Sequence, residues 1–265
     1  MKKILTILVT ALLAVTACLS FAACGETSDL KRVQDANKLV VGVTVYQPMD
    51  YIDEDSGEWT GFDADLAKSF AESLGVNCQI VIITWSQKVA ELDSKQIDLV
   101  WNGMTASDEL GQQIDFSVSY AKNAQVAVVK SGSTITTKDQ IKNAKIAVEQ
   151  GSAGATVAEE IGATNVTPLP SQMDALNDVV NAGGSEVAII DITMAQSVVG
   201  KGTYSGLKVV EGISYGDEIF AVGLRKGSDL KEKLDSFLKS KYADGTLATL
   251  AEKYQVGLNT EALGA

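Results

Sequence analysis

The chain has 265 residues, a formal net charge of −12 and no histidine. This length is enough for two lobes of ordinary domain size, and such an acidic surface repels nucleic acid and anionic lipid headgroups, so neither is an expected partner. Because histidine is the commonest general base and metal ligand, its absence excludes a histidine triad and a histidine zinc site.

The first 23 residues have the pattern of an export signal. Lys2 and Lys3 precede an uncharged apolar run over residues 4–17, and small residues follow it. The run is too short to span a membrane. We therefore predict that residues 1–23 are a signal peptide.

Two cysteines near the end of the signal follow small residues, in VTAC and FAAC. Both sites resemble the lipobox of bacterial lipoproteins, in which the cysteine is acylated. Cys24 is preferred over Cys18, because it lies at the more usual distance from the lysines and precedes a polar tether, residues 24–36. A secreted protein without an anchor is the alternative. Processing at Cys24 would leave Cys78 as a single thiol, so no disulfide is expected.

Strand and helix signals alternate regularly from residue 38 onward. This order predicts a mostly parallel sheet covered by helices. Asp63 is interpreted as the cap of the first helix, whose buried face carries Leu66 and Phe70. The predicted strands of this half cover residues 39–45, 79–83 and 99–101, and a further helix covers residues 86–92.

The stretch from Asp98 to Tyr120 is typical of a ligand-binding edge. A short apolar strand ends at Asn102 and Gly103, and Thr105 or Ser107 caps the helix that follows. Ligands of open α/β sheets bind where strands end and helices begin. We therefore predict a binding site at this junction.

The second half repeats the same order. The segment GSAGAT is predicted to form a turn before a helix, with backbone N–H groups free to meet an anion. The chain is expected to cross between lobes near residues 124–128 and 215–221. The predicted strands cover residues 125–130, 145–149, 186–190 and 219–224, and the predicted helices cover residues 137–141, 154–161, 230–242 and 246–254, with a further helical stripe at Met173, Leu176 and Val180.

Blocks of sequence over residues 37–254 resemble, in order, those of the bacterial family 3 solute-binding proteins, which are polar amino acid receptors of ABC importers. The blocks include LVVGVTVYQPMDYIDEDSGEWTGFDADLAKSFAESLGV, IDLVWNGMTASDE, KIAVEQGSAG, EVAIID and KYADGTLATLAEKY. The resemblance implies an α/β fold of two Rossmann-like lobes joined by two hinge strands, the type II periplasmic-binding-protein fold. Lobe 1 is expected to comprise residues 37–124 and 221–265, and lobe 2 residues 125–220.

The resemblance also implies a site between the lobes. Two aromatic rings would sandwich the ligand, a strand end of lobe 1 would bind its amino and carboxylate groups through a backbone carbonyl, a backbone N–H and a hydroxyl, and lobe 2 would supply turn N–H groups and an aspartate for the ammonium. These residues are, in that order, Tyr46 and Trp85; Asn102, Gly103 and Thr105; Gly151 and Ser152; and Asp191.

The chain departs from the family pattern at the carboxylate end of this site. Leu110 stands where members usually have an arginine that forks onto the ligand carboxylate. Ala153 stands at a position where family members often have threonine. Thr44 stands at a position where lysine- and arginine-binding members often carry an acidic residue. Lys88 or Lys122 could replace the missing cation.

These features predict a lipid-anchored receptor on the extracytoplasmic face of the cell membrane. It would deliver an amino acid or related small amine-bearing solute to an ABC permease, as a monomer without cofactor or metal. A sensing receptor without transport is an alternative, and a dehydratase-like enzyme on the same fold is another. The acidic run over residues 53–58 lacks the oxygen spacing of a calcium loop and is interpreted as a solvated hairpin turn.

Overall fold

The computed structural model describes residues 28–264. The predicted signal peptide, Cys18 and Cys24 lie outside this range. Within it, no helix has the length and apolar character that crossing a membrane requires.

The first sheet has five strands in the order β4-β1-β5-β12-β6. The central strand β1 pairs in parallel with β4 and β5, whereas β12 runs antiparallel between β5 and β6. A separate hairpin of β2 and β3 contains the acidic run. The bounds are β1 Lys38–Val43, β2 Tyr51–Ile52, β3 Trp59–Thr60, β4 Asn77–Ile82, β5 Leu99–Val100, β6 Asp115–Phe116 and β12 Gly223–Leu224.

Helices from both ends of the chain cover this sheet. Phe70 on one helix and Phe237 on another are in tilted contact, with ring centroids 5.3 Å apart. Residues after 220 therefore complete the lobe that the first hundred residues begin. The helices are α1 Asp29–Asp35, α2 Phe62–Ser73, α3 Lys88–Asp93, α4 Asp108–Gly111, α9 Leu230–Ala243, α10 Thr246–Tyr254 and α11 Thr260–Leu263.

Asp63 does not cap α2. The cap position is Gly61, and Asp63 lies in the first turn with its side chain fully buried. Its carboxylate accepts hydrogen bonds from the Gly103 N–H (2.6 Å) and the Tyr120 hydroxyl (2.8 Å). The prediction that Asp63 caps this helix was wrong, because its carboxylate binds partners that lie far away in sequence.

The segment assigned to a tether is partly folded. Residues 29–35 form α1, which is anchored by Arg225 through hydrogen bonds from Nε to both Asp29 oxygens (3.0 and 3.2 Å). The buried Arg225 also reaches Asp98. The predicted tether, residues 24–36, therefore contains a folded helix.

The second sheet has the order β11-β7-β10-β8-β9, in which β8 is parallel to β9 and β10 and β7 is antiparallel to β10 and β11. Sequence patterns predicted neither β9 nor the full length of β11. The elements are β7 Ala121–Lys130, β8 Ile146–Glu149, β9 Val166–Leu169, β10 Val187–Asp191 and β11 Leu207–Phe220, with helices α5 Lys138–Asn143, α6 Ala153–Glu160, α7 Gln172–Val180 and α8 Ile192–Val198.

The long strands β7 and β11 join the two halves. They pair from Leu207 with Lys130 to Phe220 with Ala121. At the end of the pair, Phe220 bridges to Thr105 and Ala121 to Leu258, both in the first half. The predicted α/β class, with two lobes joined by two strands, is confirmed.

Candidate functional site

One cleft between the two halves contains all the residues that the resemblance placed in the site. Its volume is about 930 Å³, and side chains from both sheets line it. The lining includes Tyr46, Trp85, Asn102, Gly103, Thr105, Gly151, Ser152 and Asp191.

Both predicted aromatic residues are buried at the cleft. The Tyr46 ring lies so close to Gly103 (φ +53°) that a Cβ there would stand 2.7 Å from Tyr46 Cε1. This position therefore needs glycine for its space and for its backbone angle. The Lys88 ammonium lies 4.6 Å from the centroid of the Trp85 ring, which is a cation–π contact within the protein.

The Tyr46 hydroxyl is buried beside Asp191, and among residues 28–264 it has no hydrogen-bond partner within ordinary distance and angle. Burial raises the pKa of this phenol well above 10, and the negative charge of Asp191 raises it further. The hydroxyl is therefore un-ionised.

Asn102 connects two strand ends through its side chain. Its Oδ1 accepts from the Thr44 N–H (2.7 Å) and hydroxyl (2.8 Å), and its Nδ2 donates to Asp50 (2.8 Å). The amide is thus fully engaged within lobe 1. It fixes the relative position of β1 and β5 at the edge of the cleft.

The next two predicted donors are bonded to protein carboxylates. The Gly103 N–H donates to Asp63, and the Thr105 hydroxyl donates to Glu218 (3.0 Å). The resemblance implied that a ligand carboxylate receives these donors. In this structure the Gly103 N–H is not free, and Thr105 Oγ1 already has an acceptor.

Asp191 ends β10 and is buried. It stands at the N-cap of α8 but makes no capping bond. Its oxygens instead accept from the side-chain amides of Asn123, Gln125 and Gln172. Burial raises the pKa of Asp191 to about 6, and the nearby charge of Glu218 adds to this effect, while the amides oppose it.

Glu218 was missed by sequence reasoning. Its Oε2 accepts from Asn123 (2.7 Å) and Gln125 (2.9 Å), the same amides that hold Asp191. Glu218 lies opposite Asn123 in the register of β11 and β7. Only this pairing brings it to the site, and no local motif marks it.

A buried lysine and a buried glutamate complete the polar lining. Lys88 Nζ donates to the carbonyls of Trp85 (3.3 Å) and, across the cleft, Gly151 (3.1 Å). Burial lowers the pKa of Lys88 to about 8, although Glu149 opposes the shift. Burial likewise raises the pKa of Glu149 to about 8, with a further contribution from Asp191. Of the two candidate cations, Lys88 lines the cleft, whereas Lys122 is exposed and is not part of the lining.

The turn before α6 has the predicted geometry. Gly151 has φ +73°, and a Cβ there would lie 3.3 Å from Ser86 Cα of the opposite lobe. Ser152 caps α6 by accepting from the Ala155 N–H (3.2 Å). Leu110 lies across the cleft in α4, and its side chain packs with an apolar cluster that includes Met104 and Ile114.

The sequence profile of the bacterial extracellular solute-binding proteins, family 3, matches residues 39–257. The chain belongs to this family. Among curated relatives, this solute-binding protein is 30% identical over 245 residues to the L-cystine-binding protein TcyJ of Escherichia coli K12, covering 91% of each chain. It is 29% identical to the arginine-binding extracellular protein ArtP of Bacillus subtilis, covering 93% of this chain and 97% of that protein.

The solute-binding protein also resembles solved structures. One is the arginine-, lysine-, histidine-binding protein ArtJ of Geobacillus stearothermophilus, with a TM-score of 0.78 and 27% sequence identity. The match covers 86% of this chain and 100% of that one. Family members are extracellular or periplasmic solute-binding proteins of ABC importers.

Proposed function

We propose that this protein is the substrate-binding component of an ABC importer, and that it captures an amino acid or related small amine-bearing solute in the cleft. Asp191 carries the proposal. Its carboxylate is buried among neutral amides, and within residues 28–264 it forms no ion pair. A buried charge is costly unless it is paired, and a ligand ammonium would supply the partner.

The proposed binding residues divide by chemistry. Tyr46 and Trp85 would enclose the ligand between rings, and Asp191 would bind its ammonium. The lobe-1 strand end, with Asn102, Gly103 and Thr105, and the turn at Gly151 and Ser152 would form the opposing walls. Lobe 1, with residues 37–124 and 221–265, and lobe 2, with residues 125–220, would close on the ligand by a shift in population.

Calorimetry against amino acids, their amides and polyamines tests the ligand class. At least one amine-bearing solute should bind at micromolar concentration or below. Asp191→Asn should weaken that binding at least about 100-fold, because removing one partner of a buried pair costs about 3–5 kcal/mol. Asp139→Asn, at an exposed position in lobe 2, is the matched control. Heat-silent titrations across the whole set would reject the proposal.

Attachment to the extracytoplasmic face of the membrane through acylated Cys24 belongs to the same proposal. Cys24→Ser should move the protein from the detergent phase to the aqueous phase in a phase-partition assay. Cys18→Ser should leave it in the detergent phase. The opposite result would assign the anchor to Cys18, and an aqueous wild-type protein would reject the anchor.

The protein is proposed to act without catalysis and as a monomer. Light scattering on the purified chain tests the monomer. Acidic and basic groups in the cleft motivate one catalytic alternative, a dehydratase. Turnover of a prephenate-like acid would support that alternative. Sensing without transport is the other alternative, and loss of solute uptake on deletion of the gene would argue against it.

A further inference from the structure

The charges that line the cleft are strongly unbalanced. Seven acidic side chains and one lysine line it among the described residues, and the raised pKa of Glu149 leaves at least six of the acids ionised near neutral pH. Three of the acids, Glu149, Asp191 and Glu218, face the ligand space from lobe 2 and its connecting strand, and the first two are buried. The potential in a cleft of this kind favours cations and opposes anions.

The groups expected to bind a ligand carboxylate already donate hydrogen bonds to carboxylates of the protein. Thr105 Oγ1 donates to Glu218, and the Gly103 N–H donates to Asp63. Glu218 thus supplies a carboxylate oxygen at the donor that a ligand carboxylate would need. Leu110 offers an apolar side chain instead of a guanidinium.

Lys88, the one basic side chain in this lining among the described residues, also has partners within the protein. Its ammonium lies over the Trp85 ring and donates to the backbone oxygens of Trp85 and Gly151. The neighbouring charge of Glu149 acts on it. A ligand carboxylate near Lys88 would therefore have to compete with these acceptors and approach an acidic side chain.

We infer that the cleft selects amines that carry no free carboxylate, such as diamines and amino acid amides, over the corresponding α-amino acids. This inference rests on the proposed function, because it names the ligand class of the same site. A site discriminates through differences in affinity, and here the carboxylate is the repelled group.

Matched ligands isolate the effect of that group. Calorimetry would compare lysine with lysinamide and 1,5-diaminopentane, and arginine with argininamide and agmatine. Each carboxylate-free ligand should bind at least about tenfold more tightly than its parent amino acid, which corresponds to about 1.4 kcal/mol. An amino acid that binds as well as or better than its partners would overturn the inference and leave the proposed function standing. If no amine produced a heat of binding, both the inference and the proposed function would be rejected.

A pair of variants tests the origin of the preference. Glu218→Gln removes the carboxylate that holds Thr105 and should reduce the preference for carboxylate-free ligands at least about threefold. Glu211→Gln makes the same change at an exposed site on the same strand and should leave the preference unchanged. The wild-type protein could instead prefer amino acids and lose that preference in Lys88→Met. This result would contradict the inference, because it would show that Lys88 binds the ligand carboxylate.

Discussion

Leu110 lies in α4 at the edge of the cleft, half-buried against apolar neighbours. Leu110→Arg would place a guanidinium at the position where the family binds a ligand carboxylate. Because a hydrogen bond to a charged group contributes about 1.5–3 kcal/mol, we expect affinity for α-amino acids to rise at least about tenfold. Calorimetry with an amino acid and its amide measures the change, and only the acid should gain.

Leu110→Met is the control for altered volume at this position, because the side chain stays apolar. It should change affinity for the acid and the amide little and equally. If Leu110→Arg left both affinities unchanged, the guanidinium would not reach the ligand. The carboxylate, where one is bound, would then be held by another group.

The site residues differ in how far the sequence alone could predict their roles. The strand end at Gly103, the turn at Gly151 and the acid at Asp191 were predicted from chain order and family resemblance, and all of them line the cleft. The roles of Asp63 and Glu218 were not predictable. Each binds a group far away in sequence, so its partner depends on folded geometry rather than on a local pattern.

Helix α6 packs very closely on strand β10. A Cβ on Gly154 would lie 2.6 Å from the Ile189 carbonyl oxygen, a backbone atom that cannot move alone. Gly154→Ala should therefore displace the helix and lower the free energy of unfolding by about 1–3 kcal/mol. Urea denaturation measures the loss. Gly132→Ala, where the added Cβ would have nothing within 4 Å, is the control, and equal stabilities of the two variants would contradict the prediction.

The position of helix α1 depends on a buried arginine. Arg225 pairs with Asp29 of α1 and with Asp98, and it donates to the carbonyls of Leu92 (2.8 Å) and Ile97 (2.6 Å). Arg225→Met removes the closest cation from Asp29 and a donor from both carbonyls, while Arg32 still pairs with Asp98. We expect a loss of about 3–5 kcal/mol in the free energy of unfolding.

The neighbouring Lys226 supplies the control for this arginine. Its ion pair with Asp115 lies at the surface, with the lysine side chain half-exposed, and surface pairs contribute at most about 1 kcal/mol. Urea denaturation should therefore separate Lys226→Met from Arg225→Met by several kcal/mol. Similar midpoints for both would show that α1 is held mainly by its apolar contacts.

Sequence periodicity predicted the strands and helices with uniform burial better than the irregular ones. The strand β10 is buried at every residue, as its apolar run indicated. In contrast, β11 alternates unevenly and contains register shifts near Gly212 and Gly216, so its 14 residues carry no regular period. The edge strand β9 contains Pro168, which lowers its strand signal.

For the whole molecule, four buried carboxyl groups determine the response to pH. Burial raises the pKa of Asp191 from 3.8 to about 6, of Asp63 from 3.8 to about 7 and of Glu149 from 4.5 to about 8, and it raises that of Asp50 well above 3.8. The folded protein therefore holds protons that the unfolded chain has already released. Its stability must fall as pH rises through this window.

Other carboxyl groups act in the opposite direction at lower pH. Their pKa values are lowered by hydrogen bonds and ion pairs, so their stabilisation is present above their ordinary value of 3.8 and is lost as pH falls below it. The carboxyl groups with raised pKa values and those with lowered pKa values together predict a maximum of stability at about pH 4 to 5. The acids with lowered pKa are Asp29, Asp53, Asp115, Asp178 and Asp244.

Thermal unfolding of the ligand-free protein between about pH 4 and 9 tests this balance, and the melting temperature should decline from about pH 5 to about pH 8. Glu149→Gln should make the decline shallower between about pH 6 and 8, because the amide does not ionise, while Asp63, with a pKa of about 7, preserves part of the decline. Saturation with a cationic ligand should oppose the decline, since an ammonium beside Asp191 stabilises the ionised carboxylate. A melting temperature that rises steadily from pH 5 to 8 without ligand would contradict the raised pKa values of these buried carboxyl groups.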